Sequence, residues 1–244
     1  DYLRRDSFFT GVTEGNIGSA RIIKMLNVVE DSLVVESKGI YSIENYLTSR
    51  RLMYWQVYLH KTAVAYEKVL INALKRAKYL VQQGKQLFCP PALKYFLHNT
   101  IDRYWFQNHA EALTMYEQLD DTDIWCTLKV WQNSEDKILS LLAKDMINRN
   151  VFKVEVREKP VTEEEIYALK DNIAKHFSIT FDDATYLMSV NTIQKDMYDI
   201  NDDKIAILYK DGTLKDISEA SEILNVELLS KKISKYYLCY QRFK

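Results

Sequence analysis

The longest regular pattern in this chain is a helical one that extends almost unbroken over residues 42–83. Ser42 has the side chain of a helix N-cap, and Gly84 suits a helix C-cap. A straight helix from the mid-forties to Gln83 would span roughly 60 Å at about 1.5 Å per residue, which exceeds a small domain. The sequence therefore predicts a kink or break in this helix, near Ser49 or Tyr58.

The composition agrees with a chain built largely from helices. Only six glycines and three prolines occur in 244 residues, and 47% of the residues are hydrophobic. Few residues that break helices argue against a β-sandwich and against low-complexity linkers. The formal net charge is -1, so no overall attraction for nucleic acid is expected and any anion site must be local.

Cysteine usage and hydropathy indicate the cellular compartment in which the chain would function. The three cysteines are scattered, odd in number and without CxxC spacing. That pattern fits a reducing compartment and provides no disulfide or zinc framework. No apolar run approaches the roughly 18–20 residues of a membrane span. We therefore expect a cytoplasmic protein that does not insert into a membrane.

The character of the sequence changes near residue 150, which predicts a helical part over residues 1–150 and a second part over residues 151–244. In the first part, β-branched runs on both sides of Glu30-Asp31-Ser32 predict a β-hairpin near residues 28–36. In the second part, a helix is predicted over residues 162–176 and a shorter one over 218–224. Strands are predicted at 151–156, 186–190, 204–209 and 235–240. The predicted fold class is mainly α with a small C-terminal α+β lobe.

One stripe of the long helix carries most of its chemistry. At about 100° per residue, four polar residues fall within roughly 80° of one another. They are Arg50, Tyr54, Tyr58 and Lys61. The opposite side, which we expect to be buried, is formed by Leu52, Trp55, Leu59 and Ala63. Two cations and two phenols on one face suit a polyanion that carries a flat ring, such as a nucleotide. The same side chains could instead line a contact between helices, and periodicity alone leaves both interpretations open.

Other chemical motifs are missing from the sequence. None of the four histidines forms an HExxH or a His-Asp pair, so the chain is not expected to contain a complete metal site. The glycines at 11, 15 and 18 lack the Gly-Lys-Ser/Thr of a phosphate-binding loop. The aspartates at 120, 121 and 123 are explained by a helix N-cap.

Two spaced blocks resemble a known family of phosphohydrolases. Residues 1–6 (DYLRRD), followed by 9–12 (FTGV), resemble the segment just after the last metal ligand of HD-superfamily deoxynucleoside triphosphate triphosphohydrolases. That group includes bacterial dGTPases and the mammalian SAM- and HD-domain dNTPase. Residues 49–61 resemble the second signature of the family, Arg-x(7)-Tyr-x-His-Lys. Residues 148–153 resemble the start of the family's C-terminal lobe.

The resemblance implies roles for particular residues in binding a dNTP, which the family hydrolyses to deoxynucleoside and triphosphate. Tyr2 and Asp6 would contact the deoxyribose. Tyr58 would meet the sugar or the base, and Arg50 would bind triphosphate oxygens. Tyr54 would line the substrate, at a position where the mammalian enzyme has a different residue.

The resemblance also implies a fold, partners and a cofactor. This chain would hold part of a helical HD core and would belong to a homo-oligomer, with His60 and Lys61 near an effector site or subunit interface. A divalent metal (Mn, Mg, Fe or Zn), held by a His…His-Asp…Asp set, orients water and phosphate. All those ligands would lie upstream of Asp1. We therefore expect the chain to be the C-terminal portion of a longer enzyme and to be inactive alone.

Two other functions are compatible with the residues. In one, the chain is a non-catalytic helical interaction and oligomerisation module in which Arg50, Tyr54 and Tyr58 contact a protein. In the other it binds nucleic acid, an interpretation that the near-neutral charge disfavours.

Overall fold

The computed structural model describes residues 2–195, 204–223 and 233–243. The described part is mostly helical and has a small C-terminal sheet region, which confirms the predicted fold class of mainly α with a small C-terminal α+β lobe. In the described part, no helix is both long and apolar enough to cross a bilayer. The α-helices are α1 (Tyr2–Thr10), α2 (Ser19–Lys24), α3 (Ile40–Met53), α4 (Lys61–Gln82), α5 (Pro91–His98), α6 (Arg103–Asn108), α7 (Ala110–Gln118), α8 (Asp121–Trp131), α9 (Lys137–Asn148), α10 (Glu163–Phe177) and α11 (Ile217–Ala220).

The strands form two sheets. They are β1 (Leu26–Val29), β2 (Ser32–Glu36), β3 (Lys153–Arg157), β4 (Met188–Lys195), β5 (Ala206–Leu208), β6 (Leu214–Asp216) and β7 (Ile233–Tyr240). One sheet has the order β1-β2-β5-β6 and the other the order β3-β7-β4. In the first sheet, β1 and β2 form the predicted antiparallel hairpin, β2 and β5 are parallel, and β5 and β6 are antiparallel.

Contacts divide the chain into two units that do not follow its order. The first unit contains residues 1–63 and 192–235, and the second contains 64–191 and 236–244. The first unit therefore builds its sheet from strands of the first forty residues and from strands that come after residue 204. The predicted division near residue 150 describes a change in sequence character and stays a prediction.

Several predicted elements of the second half shift when they are compared with the structure. The predicted strand at 186–190 begins two residues later, because a 3₁₀ helix covers Asp183–Leu187 and β4 starts at Met188. The predicted helix at 218–224 is reduced to α11, and residue 224 lies outside the described residues. Helix α10 begins with a capping box in which Thr162 and Glu165 exchange bonds, as the predicted helix start requires.

The long helical pattern is interrupted at one of the two predicted positions. Helix α3 ends at Met53, a π-helical turn covers Tyr54–Tyr58, and α4 starts at Lys61, so the predicted break near Tyr58 is confirmed. The predicted N-cap at Ser42 is wrong, because α3 already begins at Ile40. At the other end, Gly84 has φ +79 and its N–H donates to the carbonyl of residue 81 at 2.9 Å, as in a glycine C-cap.

The core of the first unit lies between α3 and its sheet. Ile43 and Leu47 of α3 pack in a cluster with Val35, Ile207 and Ile217. This face of α3 differs from the predicted one. The structure contradicts burial of two residues on the predicted face, because Leu52 is 38% exposed and Ala63 is exposed, while Trp55 and Leu59 are half-buried. The sheet selects the buried face of α3, and the π-turn changes the helical phase beyond it.

A buried guanidinium links three elements of the second unit. Arg76 of α4 is only 7% exposed. Its Nη1 donates to Asp183 at 2.6 Å, and its Nε and Nη2 donate to Asp136 at 3.1 and 2.6 Å. The rings of Tyr79 and Tyr186 lie 5.3 and 5.1 Å from its Cζ. Burial lowers the pKa of Arg76, but bonding and charge from both carboxylates outweigh it and raise the pKa overall.

Gly15 permits the close approach that positions α1. A Cβ at this residue would lie 2.8 Å from the carbonyl oxygen of Leu3, 2.7 Å from Ser7 Cβ and 2.9 Å from Met53 Sδ. Leu3 and Met53 are buried. The loop after α1 therefore lies against both α1 and the end of α3, and this arrangement holds the N-terminal helix beside the π-turn.

We predict that Gly15→Ala destabilises the protein by about 1–3 kcal/mol, because the added methyl group overpacks this contact. The backbone oxygen of Leu3 cannot move without shifting α1. Urea unfolding followed by circular dichroism measures the change. Gly18→Ala is the matched control, since its Cβ would meet nothing within 4 Å, and it should alter stability by about 0.5 kcal/mol or less. Equal effects of the two variants would contradict the prediction.

Candidate functional site

A hydrogen bond between distant parts of the chain defines the site. The phenol of Tyr58 donates to Oδ2 of Asp6 at 2.6 Å, across 52 positions of sequence. The other carboxylate oxygen, Oδ1, accepts from Nε of Arg5 at 2.7 Å. Both oxygens of Asp6 are therefore oriented by protein donors, and the carboxylate is held in one position between α1 and the π-turn.

The environment of this pair sets the charge of each member. Burial, followed by the hydrogen bond to the Asp6 carboxylate, raises the pKa of Tyr58 to about 12. Bonds from Arg5 and Tyr58 lower the pKa of Asp6, although burial opposes them. At neutral pH the site therefore presents a neutral phenol that donates and an ionised carboxylate that accepts.

The π-turn brings two aromatic rings together beside this pair. Its defining bond runs from Leu59 N–H to the carbonyl of Tyr54, five residues earlier, at 2.7 Å. The rings of Tyr54 and Tyr58 lie 5.2 Å apart at an angle of 64°, an edge-to-face arrangement that aromatic pairs prefer. Single π-turns inside helices occur frequently at functional sites.

Arg50 supplies a cation at the start of the same stripe. Its Cζ lies 5.8 Å from the centroid of the Tyr54 ring, within reach of a cation–π interaction. The residue is half-buried, and within the described residues its guanidinium has no hydrogen bond or ion pair. A half-buried cation whose donors are not used by the protein is suited to binding an anion.

The structure joins five of the seven residues that the sequence singled out. Successive contacts run from Arg50 through Tyr54 and Tyr58 to Asp6, and from Asp6 through Arg5 to the ring of Tyr2, 5.3 Å from the Arg5 Cζ. We call this set the Arg–Tyr stripe. Its members are Arg50, Tyr54, Tyr58, Asp6, Arg5 and Tyr2.

The remaining two residues lie beyond the break in the helix. His60 and Lys61 are exposed, and Nδ1 of His60 accepts from the backbone N–H of Thr62 at 3.3 Å. Among the described residues, no hydrogen bond, ion pair or ring contact joins either side chain to the Arg–Tyr stripe. The polar stripe predicted to extend to Lys61 is therefore continuous only as far as Tyr58, because the π-turn and the break at Leu59 change the helical phase.

Sequence reasoning missed three contributors to the surroundings of the site. Arg5 lies in the first motif, and its position next to Asp6 is a signal that could have identified its role as a hydrogen-bond donor to that carboxylate. The bond from Gln56 Nε2 to Glu14 Oε1, at 2.8 Å, joins the π-turn to the loop after α1 and has no sequence signal. An open cavity of about 1080 Å³ adjoins α1. Its lining includes Tyr2, Arg4, Arg5, Phe8 and Phe9.

The described residues do not provide a metal centre. Within residues 2–195, 204–223 and 233–243, no three His, Cys, Asp or Glu side chains are placed to hold a metal ion. The metal that the family resemblance implies would therefore need ligands other than the described residues of this chain.

Comparison with known proteins relates part of the chain to a family that is associated with HD domains. Residues 17–86 match the family described as HD associated region. The chain is 32% identical over 238 residues to the uncharacterized protein YwfO of Bacillus subtilis, covering 95% of this chain and 52% of that protein. It is 29% identical over 198 residues to an uncharacterized protein of Mycoplasma pneumoniae, the MG461 homolog, covering 74% of this chain and 44% of that protein. The chain thus spans about half the length of these curated relatives.

Solved structures extend the comparison. A crystal structure described as a phosphohydrolase from Bacteroides thetaiotaomicron is 62% identical, with a TM-score of 0.90, and covers 99% of this chain and 60% of that one. A hypothetical protein from Aquifex aeolicus, 24% identical with a TM-score of 0.59, matches 99% of this chain and 53% of that one, and it shares the fold alone. Together with the family match, the phosphohydrolase structure supports a relationship with the HD superfamily.

We predict that Asp6→Asn lowers the pKa of Tyr58 from about 12 but leaves it above the ordinary value of 10.0. The substitution removes the carboxylate charge, while the burial of the ring remains. A pH titration of carbon-13-labelled tyrosine by NMR, with the resonance assigned through Tyr58→Phe, measures the shift. Asp102→Asn, which alters the N-cap of α6, is the control and should leave the Tyr58 pKa unchanged.

The shifted pKa values of Tyr58 and Asp6 also make the stability of the fold depend on pH. Because folding raises the pKa of Tyr58, its contribution is complete below pH 10.0 and is lost as pH rises through about 12. Because folding lowers the pKa of Asp6, its contribution to stability is complete above the ordinary value of 3.8 and is lost as pH falls through the lowered pKa of the folded state. A Tyr58 that titrates at its ordinary value in the wild-type protein would contradict the assigned hydrogen bond.

Proposed function

We propose that this chain is the substrate-binding, C-terminal portion of an HD-superfamily phosphohydrolase that hydrolyses a dNTP to deoxynucleoside and triphosphate. The match to an HD associated region and the similarity to a chain described as a phosphohydrolase support this class. The observation that carries the proposal is the Arg–Tyr stripe. In it, a guanidinium without a described hydrogen bond or ion pair lies beside two edge-to-face phenols and an oriented carboxylate.

In this proposal Arg50 binds the triphosphate. Arginine presents a planar fork of donors that matches two phosphate oxygens at once. The ring of Tyr54 lies on one side of the guanidinium at 5.8 Å, which restricts the side chain without using its N–H donors. A pre-oriented, partly buried cation loses less conformational freedom on binding than an exposed one.

Asp6 and Tyr58 then bind the sugar. The ionised carboxylate of Asp6 accepts a hydrogen bond from a sugar hydroxyl, while Arg5 and Tyr58 keep its oxygens in place. The ring of Tyr58 provides an apolar surface for the sugar or base, with Tyr54 against its edge. Tyr2, which is exposed on α1, extends the aromatic surface toward the same sugar.

In this proposal the divalent metal implied by the family is held by ligands other than the described residues of this chain. When bound, a divalent metal stabilises the charge that develops on phosphate and activates water. The residues of this chain act independently of that step, because they bind the triphosphate, orient the sugar and hold the phenol protonated. The substrate of the whole protein and its homo-oligomeric state are likewise proposals.

We predict that Arg50→Ala in the full-length protein lowers kcat/KM for triphosphate release from a dNTP by about 10- to 100-fold, because it removes a charge-assisted contact. Arg50→Lys should retain part of the activity, since it keeps the charge but loses the fork. Chromatographic detection of triphosphate, with manganese or magnesium present, measures the rate. Arg103→Ala, an exposed Arg of α6, is the matched control and should retain wild-type activity.

The competing role, a helical interaction module, gives a different result in the same experiment. In that case the full-length protein would bind no dNTP in calorimetry, and Arg50→Ala would change only its oligomeric size. A ribonucleoside triphosphate hydrolysed as fast as the matching dNTP would contradict the proposed substrate class while leaving the phosphate role of Arg50 intact.

A further inference from the structure

Strand β1 forms an unprotected edge of the four-stranded sheet. Among the strands that the structure describes, β1 pairs only with β2, and no described strand pairs with its other side. Its sequence, LNVV, contains no charge and no proline. Monomeric proteins usually protect such edges with lysine, proline or bulges. The opposite edge, β6, carries Lys215 at the centre of its three residues, so only one edge has this protection.

The hairpin register determines which groups β1 presents to the open side. Val29 pairs with Ser32 around a two-residue turn, in which Glu30 and Asp31 have φ values of +48 and +59. The N–H of residue 36 donates to the carbonyl of Met25 at 2.8 Å. Because ladder bonds alternate along an antiparallel strand, residues 25, 27 and 29 bond to β2. Residues 26 and 28 therefore direct their N–H and C=O groups away from β2.

The same hairpin exposes apolar side chains. Val28 is 62% exposed and its cross-strand partner Leu33 is 65% exposed. Both lie on one face, since directly opposite residues of a ladder share a face. Leu26 and Val35, the other cross-strand pair on this face, continue the stripe toward the core, where Val35 is buried.

We propose that β1 pairs antiparallel with β1 of a second copy of this chain, around a two-fold axis at Asn27. In this register Leu26 of each copy forms a hydrogen-bonded pair with Val28 of the other, so the outward groups of both strands are used. The N–H of Val28, which now meets Oδ1 of Asn27 at 2.8 Å, donates to the second copy instead. The two sheets become one continuous sheet.

Two features of the sequence fit this register. The exposed Val28 and Leu33 continue across the axis onto Leu26 and Val35 of the second copy, which forms an uninterrupted apolar stripe. Lys24, the last residue of α2, precedes β1 and Glu30 follows it, and both residues are exposed. Antiparallel pairing therefore brings the Lys24 end of each copy beside the Glu30 end of the other. Because the axis is two-fold, this pairing of opposite charges occurs twice. The surface is thus complementary to itself in charge and in apolar character.

A cross-link on the axis tests the register directly. Residues that face each other in a non-hydrogen-bonded antiparallel pair have Cα atoms about 4.5 Å apart, within the range of a disulfide. Asn27→Cys in the full-length protein should therefore give a disulfide-linked dimer under mild oxidation. Leu33→Cys is the control, because it is as exposed but lies one strand from the edge, and it should give no more dimer than wild type.

Charge reversal tests the interface without a covalent bond. Lys24→Glu and Glu30→Lys each place like charges in contact at two points, and each should weaken the dimer about tenfold. Mixing the two variants should restore affinity to within about threefold of wild type, since the mixed dimer again pairs opposite charges. Lys210→Glu, an exposed Lys in the turn between β5 and β6, makes the same charge change elsewhere and should have no effect. Sedimentation velocity over a concentration series measures all four.

Three outcomes would overturn the proposal. The first is a wild-type protein that stays monomeric at about 100 µM, a concentration above the Kd of specific complexes. The second is a disulfide that forms as readily at position 33 as at position 27. The third is a mixture of the two charge variants that does not regain the dimer affinity of the wild type. None of these results depends on catalysis, so each of them leaves the proposed hydrolysis of a dNTP unaffected.

Discussion

The hydrogen bond from Tyr58 to Asp6 is the interaction on which the candidate site depends. It joins the first helix to the break in the long helix at 2.6 Å. Burial and the neighbouring carboxylate keep the phenol protonated, and two side-chain donors keep the carboxylate ionised. Each partner therefore stabilises the protonation state that the other requires, and the pair presents fixed polar atoms between α1 and the π-turn.

Two features of the backbone make that bond geometrically accessible. The missing side chain of Gly15 lets the loop after α1 lie against α1 and Met53, which holds Asp6 near the π-turn. The π-turn itself brings Tyr54 and Tyr58 within 5.2 Å. A glycine and a π-helical turn, neither of which contributes a reactive group through its backbone, thus determine how the carboxylate and the phenols are arranged. The same unit carries the β1 edge, where a turn with two positive φ values determines which backbone groups face outward.

The comparison of sequence and structure shows where local reasoning was sufficient. A break near Tyr58 could be predicted because a helix of that length would exceed the domain, and the hairpin could be predicted from its β-branched runs. The buried face of α3 could not, because the sheet that covers Ile43 contains strands more than 150 residues away in sequence. The separation of Lys61 from the stripe also escaped prediction, since periodicity assumes an α-helix throughout and the chain forms a π-turn.

The sequence by itself determined the residue types that can perform chemistry and the mainly helical class, because side-chain chemistry and periodicity are local properties. Arg50, Tyr54 and Tyr58 lie at helical spacing in any fold that keeps this helix. Only the tertiary structure decided that Asp6 and Tyr58 meet, that Arg5 orients the carboxylate and that β1 is left as an edge. Those outcomes depend on packing between segments that are distant in sequence. The close contact at Gly15 places α1 against Met53, and strands that follow residue 204 complete the sheet that begins with β1 and β2.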